Sequence, residues 1–347
     1  LKNLLDLTLT ELERFCDVLG EPPFRALQIW QWLWQKHARD FATMTNVSKE
    51  LRQRLARIAV IAWPEVVRTQ TSSDGTIKFL LALVDNQRIE TVLIPEKDHY
   101  TQCLSSQVGC ALGCTFCATG QMGLARNLGL AEILGQILVA QKYLAGSGSD
   151  LKLRNLVFMG MGEPLLNWTN VRRALESLHH PLGMNFSRRR ITLSTVGLPH
   201  VLHELGTSGL ASLAVSLHAP NQELRARIMP KAARYPLDEL IRDLETYPLQ
   251  PRRKITIEYV LLGGVNDSLS HARDLVRLLN KIKVKINLIP FHPSPELPYD
   301  APDMGRVLDF EALLKTKGLP ATLRKSKGQD IVAACGQLLV QSRTQAF

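Results

Sequence analysis

No stretch of this 347-residue chain reaches the ~18 consecutive apolar residues that a bilayer-crossing helix needs. The opening LKNLLDLTLTELERFC sets Lys2, Asp6 and Glu11 too close together for the apolar core of a secretory leader. A soluble, cytoplasmic protein is therefore expected, with no membrane partner. Aromatic residues are scarce, at 6%, which argues against a surface built to stack on long single strands. Six cysteines are too few for a disulfide framework in a chain of this length. Low-complexity tracts are absent, and so is any repeat beyond an alternation of strands and helices.

What is present is an ordinary globular composition, 45% hydrophobic and 21% charged, enough for one large domain and a smaller one. The net charge is +10. Basic runs stand at Arg188-Arg189-Arg190, Arg252-Arg253-Lys254, Lys281/Lys283/Lys285 and Arg324-Lys325/Lys327. Any one of them reads as a solvated face. Together they point to a polyanionic partner.

Residues 1–62 read as a helical accessory domain, a candidate for RNA binding. PFRALQIWQWLWQK repeats apolar residues at helical spacing, with Phe24, Leu27, Trp30 and Trp34 expected on one face. SKELRQRLARIA comes next, with Ser48 as its N-cap. Residues 63–102 change period. Three β-like runs split by SSDG and DNQ predict an antiparallel meander that links the helical domain to the rest of the chain. From 103 to 347, strand-like runs (QCLSSQVG, RNLVFMG, RRITLSTV, ASLAVSLH, KITIEYVLL, KINLIPFH) alternate with helical stretches. Six βα units predict an α/β fold with a parallel sheet, a partial (β/α)6 barrel, and a C-terminal extension that carries Cys335. Chemistry in such a barrel collects at the C-terminal strand ends. Gly162, Glu163, Ser194, Ser216, Leu217, His218 and Asn287 are expected there.

GCALGCTFCATG spaces Cys110, Cys114 and Cys117 as C-x3-C-x2-C. Three thiolates on a short loop are soft ligands, suited to zinc or iron–sulfur. Three protein ligands leave one position open, as catalytic metal sites do. A structural zinc site would want a fourth ligand, for which His99 and Cys103 are candidates. That alternative is a zinc-containing RNA-binding module without catalysis. Cys16 and Cys335 stand far from the loop, and a lone cysteine most often packs in a core.

The C-x3-C-x2-C motif after the first strand of a partial barrel resembles the radical S-adenosylmethionine (SAM) superfamily. FMGMGEPLLN, RRITLSTVG, LAVSLHAPN, EYVLLGGVND, KINLIPFHP and DIVAACGQL narrow the resemblance to the RlmN/Cfr family of RNA adenine methyltransferases, with the blocks in family order over nearly the whole chain. PFRALQIWQW is similar to that family's helical accessory domain. The departures are His292, where the family commonly has Asn, the absence of a usual Gly near Glu296, and KAARYPL, which lacks a frequent Asn.

The resemblance implies a 4Fe-4S cluster on Cys110, Cys114 and Cys117, whose open iron binds SAM. It implies SAM contacts at Gly162, Glu163, Ser194, Ser216, Leu217, His218 and Asn287. Adenine C2, between two ring nitrogens, is electron-poor and cannot attack the SAM methyl group directly. The family route instead methylates Cys335 from one SAM and removes a hydrogen atom from that methyl at the expense of a second. The sulfur-borne radical then adds to C2. Glu90 aligns with the proton acceptor, and Cys103 with the thiol that releases the product through a transient disulfide. Implied partners are 23S rRNA, tRNA at the adenosine 3′ of the anticodon, and an electron donor such as flavodoxin. The chain itself is expected to be monomeric. A Cfr-type enzyme would attack C8 instead. Pro164 and AVSLHAPN fit the C2 branch better. Cys16 matches no family motif and is expected in the core.

Overall fold

In the computed structural model, which describes residues 1–199, 201–294 and 296–338, both turn-rich breaks of the meander close hairpins. Between strands Glu65–Thr71 and Ile77–Ala82, the Asp74 carboxylate accepts the Thr76 amide inside the turn. Between Ile77–Ala82 and Arg88–Pro95, Asn86 takes the left-handed φ of 63° that asparagine tolerates. Both pairings are antiparallel. The third meander strand then pairs with Tyr100–Cys103, also antiparallel. The meander is thus the edge of the same sheet as the barrel strands.

At Tyr100–Cys103 the sheet changes sense. It pairs in parallel with Leu153–Phe158, and Ile191–Thr195, Ser212–Ser216, Ile255–Leu261 and Val284–Pro290 come after it in order. The sheet has ten strands among the described residues. All six strand-like runs are present, with two corrections. The run QCLSSQVG is divided, because Gln107–Gly109 leaves the sheet to pair with Leu124–Asn127. The break falls where the Ser105 amide bonds the Gln136 side chain and the Ser106 amide bonds the Met161 carbonyl, instead of a strand neighbour. A further parallel strand, Ala321–Leu323, extends the far edge. Three residues are too short to show a period in sequence.

Helices such as Leu130–Gly146, Trp168–His179 and Leu269–Leu279 form the crossovers. At the N-terminus, Ser48 caps Lys49–Ile58 by accepting from the Leu51 amide at 3.2 Å. Helix Phe24–Trp34 buries Ala26, Ile29, Trp30, Leu33 and Trp34. Phe24, expected on that face, is 53% exposed; it opens the helix and lies under the Arg25 guanidinium instead. The N-terminal helices are joined to the barrel by polar contacts. Asp6 accepts the Ala131 amide at 2.9 Å, and Arg173 pairs with Glu11 at 2.6 Å. One hydrophobic cluster continues from Leu12, Cys16 and Trp30 to Leu193, Val215 and Ile257 in the sheet. Cys16 is wholly buried, as expected. No helix among the described residues is long and apolar enough to cross a membrane.

Candidate active site

The C-terminal ends of the parallel strands open onto a cavity with about 1000 Å³ of empty space. Gly162, Glu163, Ser194, Ser216 and His218 line it from the strand ends, Cys110, Cys114 and Cys117 from the loop, and Cys335 from the C-terminal segment.

The cysteine loop is pinned from several sides. The Thr115 amide donates to Ile228 at 3.0 Å, and Lys231 donates to the Ala111 carbonyl at 2.7 Å. The Phe116 ring meets His218 edge-on at 5.0 Å. All three thiols are free. Burial pushes Cys110 up to about 12, raises Cys114 well above the ordinary thiol range, and raises Cys117 as well. As they stand, no three His, Cys, Asp or Glu side chains among the described residues are gathered closely enough to hold an ion. The donor set nevertheless fits an iron–sulfur cluster: three soft sulfurs on one loop, facing one cavity, with no disulfide competing for them. Thiols kept neutral by burial ionise when a metal binds, since binding expels their protons.

Gly162 has φ 98°, and a Cβ there would stand 2.5 Å from the Gln107 Cβ, so glycine is needed for local packing. The buried Glu163 side chain links two strand ends, accepting from Leu165 and Val196 amides at 3.0 Å each. Burial raises its pKa to about 7, against hydrogen bonds from Thr195, Leu165 and Val196 that lower it. Ser194 and Ser216 hydroxyls lie 3.2 Å apart. His218 has a left-handed φ of 57°, and its Nδ1 accepts the Val260 amide at 3.0 Å. Burial first, then Arg225, presses its pKa down to about 3. Leu217 is wholly buried and does not line the cavity. Asn287, expected at a strand tip, is mid-strand in Val284–Pro290 because that strand runs seven residues, and it donates to Glu258 at 3.0 Å.

Cys335 is the exposed member of the set, yet it borders two cavities. The second, smaller cavity also holds Cys103, Cys117 and Arg324. Small neighbours Ala333, Ala334 and Gly336 leave the thiol accessible. The segment is tied to the cysteine loop, as the Ala118 amide donates to the Gly336 carbonyl at 2.7 Å and Thr119 to Leu338 at 2.6 Å. Its other side is tied to the meander. Asp74 accepts the Gly328 amide at 3.0 Å, and Asp330 bonds Ser72 and the Ser73 amide. Cys103, on strand Tyr100–Cys103, is buried, which pushes its pKa up to about 12.

Glu90 is not a solvent-facing strand residue. It is 4% exposed and pairs with Lys78 at 3.1 Å. The Lys78 ammonium also donates to the Val332 carbonyl at 3.1 Å, three residues before Cys335. Sequence reading missed Lys78 as well as Arg324 and Glu258. Arg324 is half-buried; Cys335 raises its pKa, burial lowers it, and Glu258 and Cys103 raise it further. Glu258 is buried against the main cavity with Oε2 lacking a hydrogen-bond partner, and burial raises its pKa. A carboxylate in a strand interior such as KITIEYVLL is the available signal, because buried charge there demands a partner.

Comparison with known proteins identifies the family. Residues 2–61 match the model for the ribosomal RNA large subunit methyltransferase N-terminal domain, and residues 104–279 match the radical SAM superfamily. A dual-specificity RNA methyltransferase RlmN of Solidesulfovibrio magneticus is 61% identical over 97% of this chain and 96% of its own. The same-named protein of Marinobacter nauticus is 46% identical over 99% of this chain and 94% of its own. A crystal structure of a radical SAM methyltransferase from Sphaerobacter thermophilus superposes with a TM-score of 0.92, at 45% identity over 97% of this chain and 99% of that one. Membership of the superfamily implies a 4Fe-4S cluster and SAM. The chain belongs to the RlmN family of radical SAM RNA methyltransferases.

Proposed function

We propose that this protein methylates C2 of an adenosine in the peptidyl-transferase region of 23S rRNA, and of the tRNA adenosine 3′ of the anticodon, through an S-methylcysteine at position 335. The dual specificity follows the name of its relatives. The observation that carries the reading is the meeting of Cys335 with Cys103 in one cavity and with the three-cysteine loop in the adjoining one. A remote cysteine with no catalytic task has no reason to stand exposed between two such groups.

Cys110, Cys114 and Cys117 would hold the cluster, which when bound supplies one electron for the reductive cleavage of SAM. Gly162, Glu163, Ser194, Ser216, Leu217, His218 and Asn287 are the proposed SAM-binding positions. Leu217 and Asn287 would act from behind the lining. Cys335 accepts a methyl group from one SAM and loses a hydrogen atom from it at the expense of a second. Its methylene radical then bonds to adenine C2, and the one electron left over would return to the oxidised cluster when bound. Glu90 takes the proton that leaves C2. Cys103 attacks the Cys335 sulfur, so that a disulfide forms as the bond from sulfur to the methylene carbon breaks, and that carbon takes up the proton given up by the Cys103 thiol to become the methyl group. The raised pKa of Cys103 keeps it a thiol until that step. Residues 1–62 contact RNA, residues 63–102 support the Cys335 segment, and an electron donor such as flavodoxin reduces the cluster. The enzyme works as a cytoplasmic monomer.

Cys103→Ala enzyme, purified after expression with its RNA, tests the reading. RNA covalently trapped on Cys335 is the expected result. Absence of any crosslink, or 8-methyladenosine as the main product of the wild type, would refute it. Anaerobically prepared protein should be brown, with broad absorbance near ~400 nm. Colourless protein with stoichiometric zinc would favour a binding module instead.

A further inference from the structure

Three of the four basic runs are brought together by the fold, and not at the active site. Arg188–Arg190, Arg252–Lys254 and Lys281 with Lys283 all precede parallel strands, so they gather at the N-terminal rim of the barrel. Arg253 donates to Ser212 at 3.1 Å, at the start of the neighbouring strand. Arg188, Arg253 and Lys254 line one cleft. The Ile255 amide bonds the Lys283 carbonyl at 2.9 Å, which sets the second and third runs side by side. The mouth with Cys335 lies at the other end of strands such as Ile255–Leu261, whose seven residues span ~23 Å.

This stretch of the rim is unbalanced. Its four connections, residues 180–190, 209–211, 246–254 and 280–283, hold these eight cations and no Asp or Glu, whereas the connections ahead of Tyr100–Cys103 and Leu153–Phe158 carry Glu96, Asp98 and Asp150. Among the described residues, none of the eight forms an ion pair. Four helices end at these connections, Trp168–His179, Val201–Ser208, Leu237–Glu245 and Leu269–Leu279. Their dipoles contribute roughly half a negative charge each, about two in all. That offsets only a quarter of these eight charges.

We propose that this rim is a second RNA-binding face, which grips phosphates of a large folded RNA far from the adenosine being modified. It rests on the reading of the protein as an RNA methyltransferase. Phosphate contacts fix register and orientation without reading sequence, which suits a face that never meets the target base. An acidic protein fits less well. Stable protein interfaces centre on an apolar core depleted of charge, whereas seven of these eight arginines and lysines are exposed and Arg253 is half-buried. A reductant docked here would also stand at the wrong end of the barrel for the cysteine loop.

The test is Arg189→Glu/Arg252→Glu/Lys283→Glu, made in the full-length, cluster-loaded enzyme. Two RNAs are compared: a short hairpin with the target adenosine, and a long large-subunit rRNA fragment containing the same hairpin. For the long RNA, the slope of log affinity against log salt should fall by roughly two to three, since each lost phosphate contact removes ~0.7–0.9. Its KM should rise at least tenfold. Hairpin binding and kcat should stay within twofold. Unchanged long-RNA binding, an equal loss on the hairpin, or displacement of RNA by poly-glutamate as readily as by RNA would overturn the rim. Wild-type enzyme that methylates neither RNA would instead overturn the underlying reading, which the binding measurement does not depend on.

Discussion

Replacing Lys78 by Met tests how the chain supports the buried Glu90 carboxylate. Lys78 and Glu90 lie on adjacent antiparallel strands, with nitrogen and oxygen 3.1 Å apart and side chains 8% and 6% exposed. Removing one member of a buried pair costs about 3–5 kcal/mol. Lys78→Met should therefore lower unfolding stability by about 3–5 kcal/mol in urea titrations of the full chain. Lys78→Met/Glu90→Leu removes both charges and should recover to within about 1 kcal/mol of the wild type, or exceed it. A Lys78→Met cost below about 1 kcal/mol would place the pair among solvent-screened ones. Simple additivity of the two single variants would deny a direct interaction. Either result would refute the reasoning.

Glu163 supplies a pH test. Its pKa is raised from 4.5 to about 7, so the folded protein holds the proton more tightly than the unfolded chain does. The resulting stabilisation is complete below pH 4.5 and is lost as the pH rises to about 7, by about 3 kcal/mol. In the cluster-free protein Glu163→Gln should flatten that fall; an unchanged pH slope would assign it elsewhere. His218 has its pKa depressed to about 3, so its contribution is complete above 6.5 and lost as pH falls from 6.5 to about 3. Nitrogen NMR should show a neutral ring with the proton on Nε2 from pH 5 to 8, and a midpoint near 6.5 would contradict the assignment. Asp74→Ala should loosen the Cys335 segment. Loss of the charge-assisted bond to Gly328 raises amide exchange over residues 328–338 by about tenfold or more, and unchanged exchange would show that the segment is held by other contacts.

Much of this architecture was readable from residue order. The meander strands and the alternating strands were legible because hairpin turns and crossover helices leave local signatures, although the first parallel strand begins at Tyr100 rather than at 103. The cysteine loop was equally plain, since three cysteines within eight residues need no long-range information. Harder were features that depend on where a strand ends or which side it turns. Asn287 was expected at a tip and sits mid-strand. Phe24 was expected inside and lies exposed. Neither position is set by its own neighbours in sequence.

Residue order alone carries the alternating fold, the thiol spacing and the family resemblance, because local period and cysteine spacing are encoded along the chain. Folding is what sets Lys78 against Glu90 and Arg324 with Cys103 and Cys335. It also gathered three distant basic runs on one rim and left a Glu258 oxygen unpaired against the cavity. Those are contacts between residues far apart in sequence, and their partners are chosen by strand register and packing, which no local pattern carries.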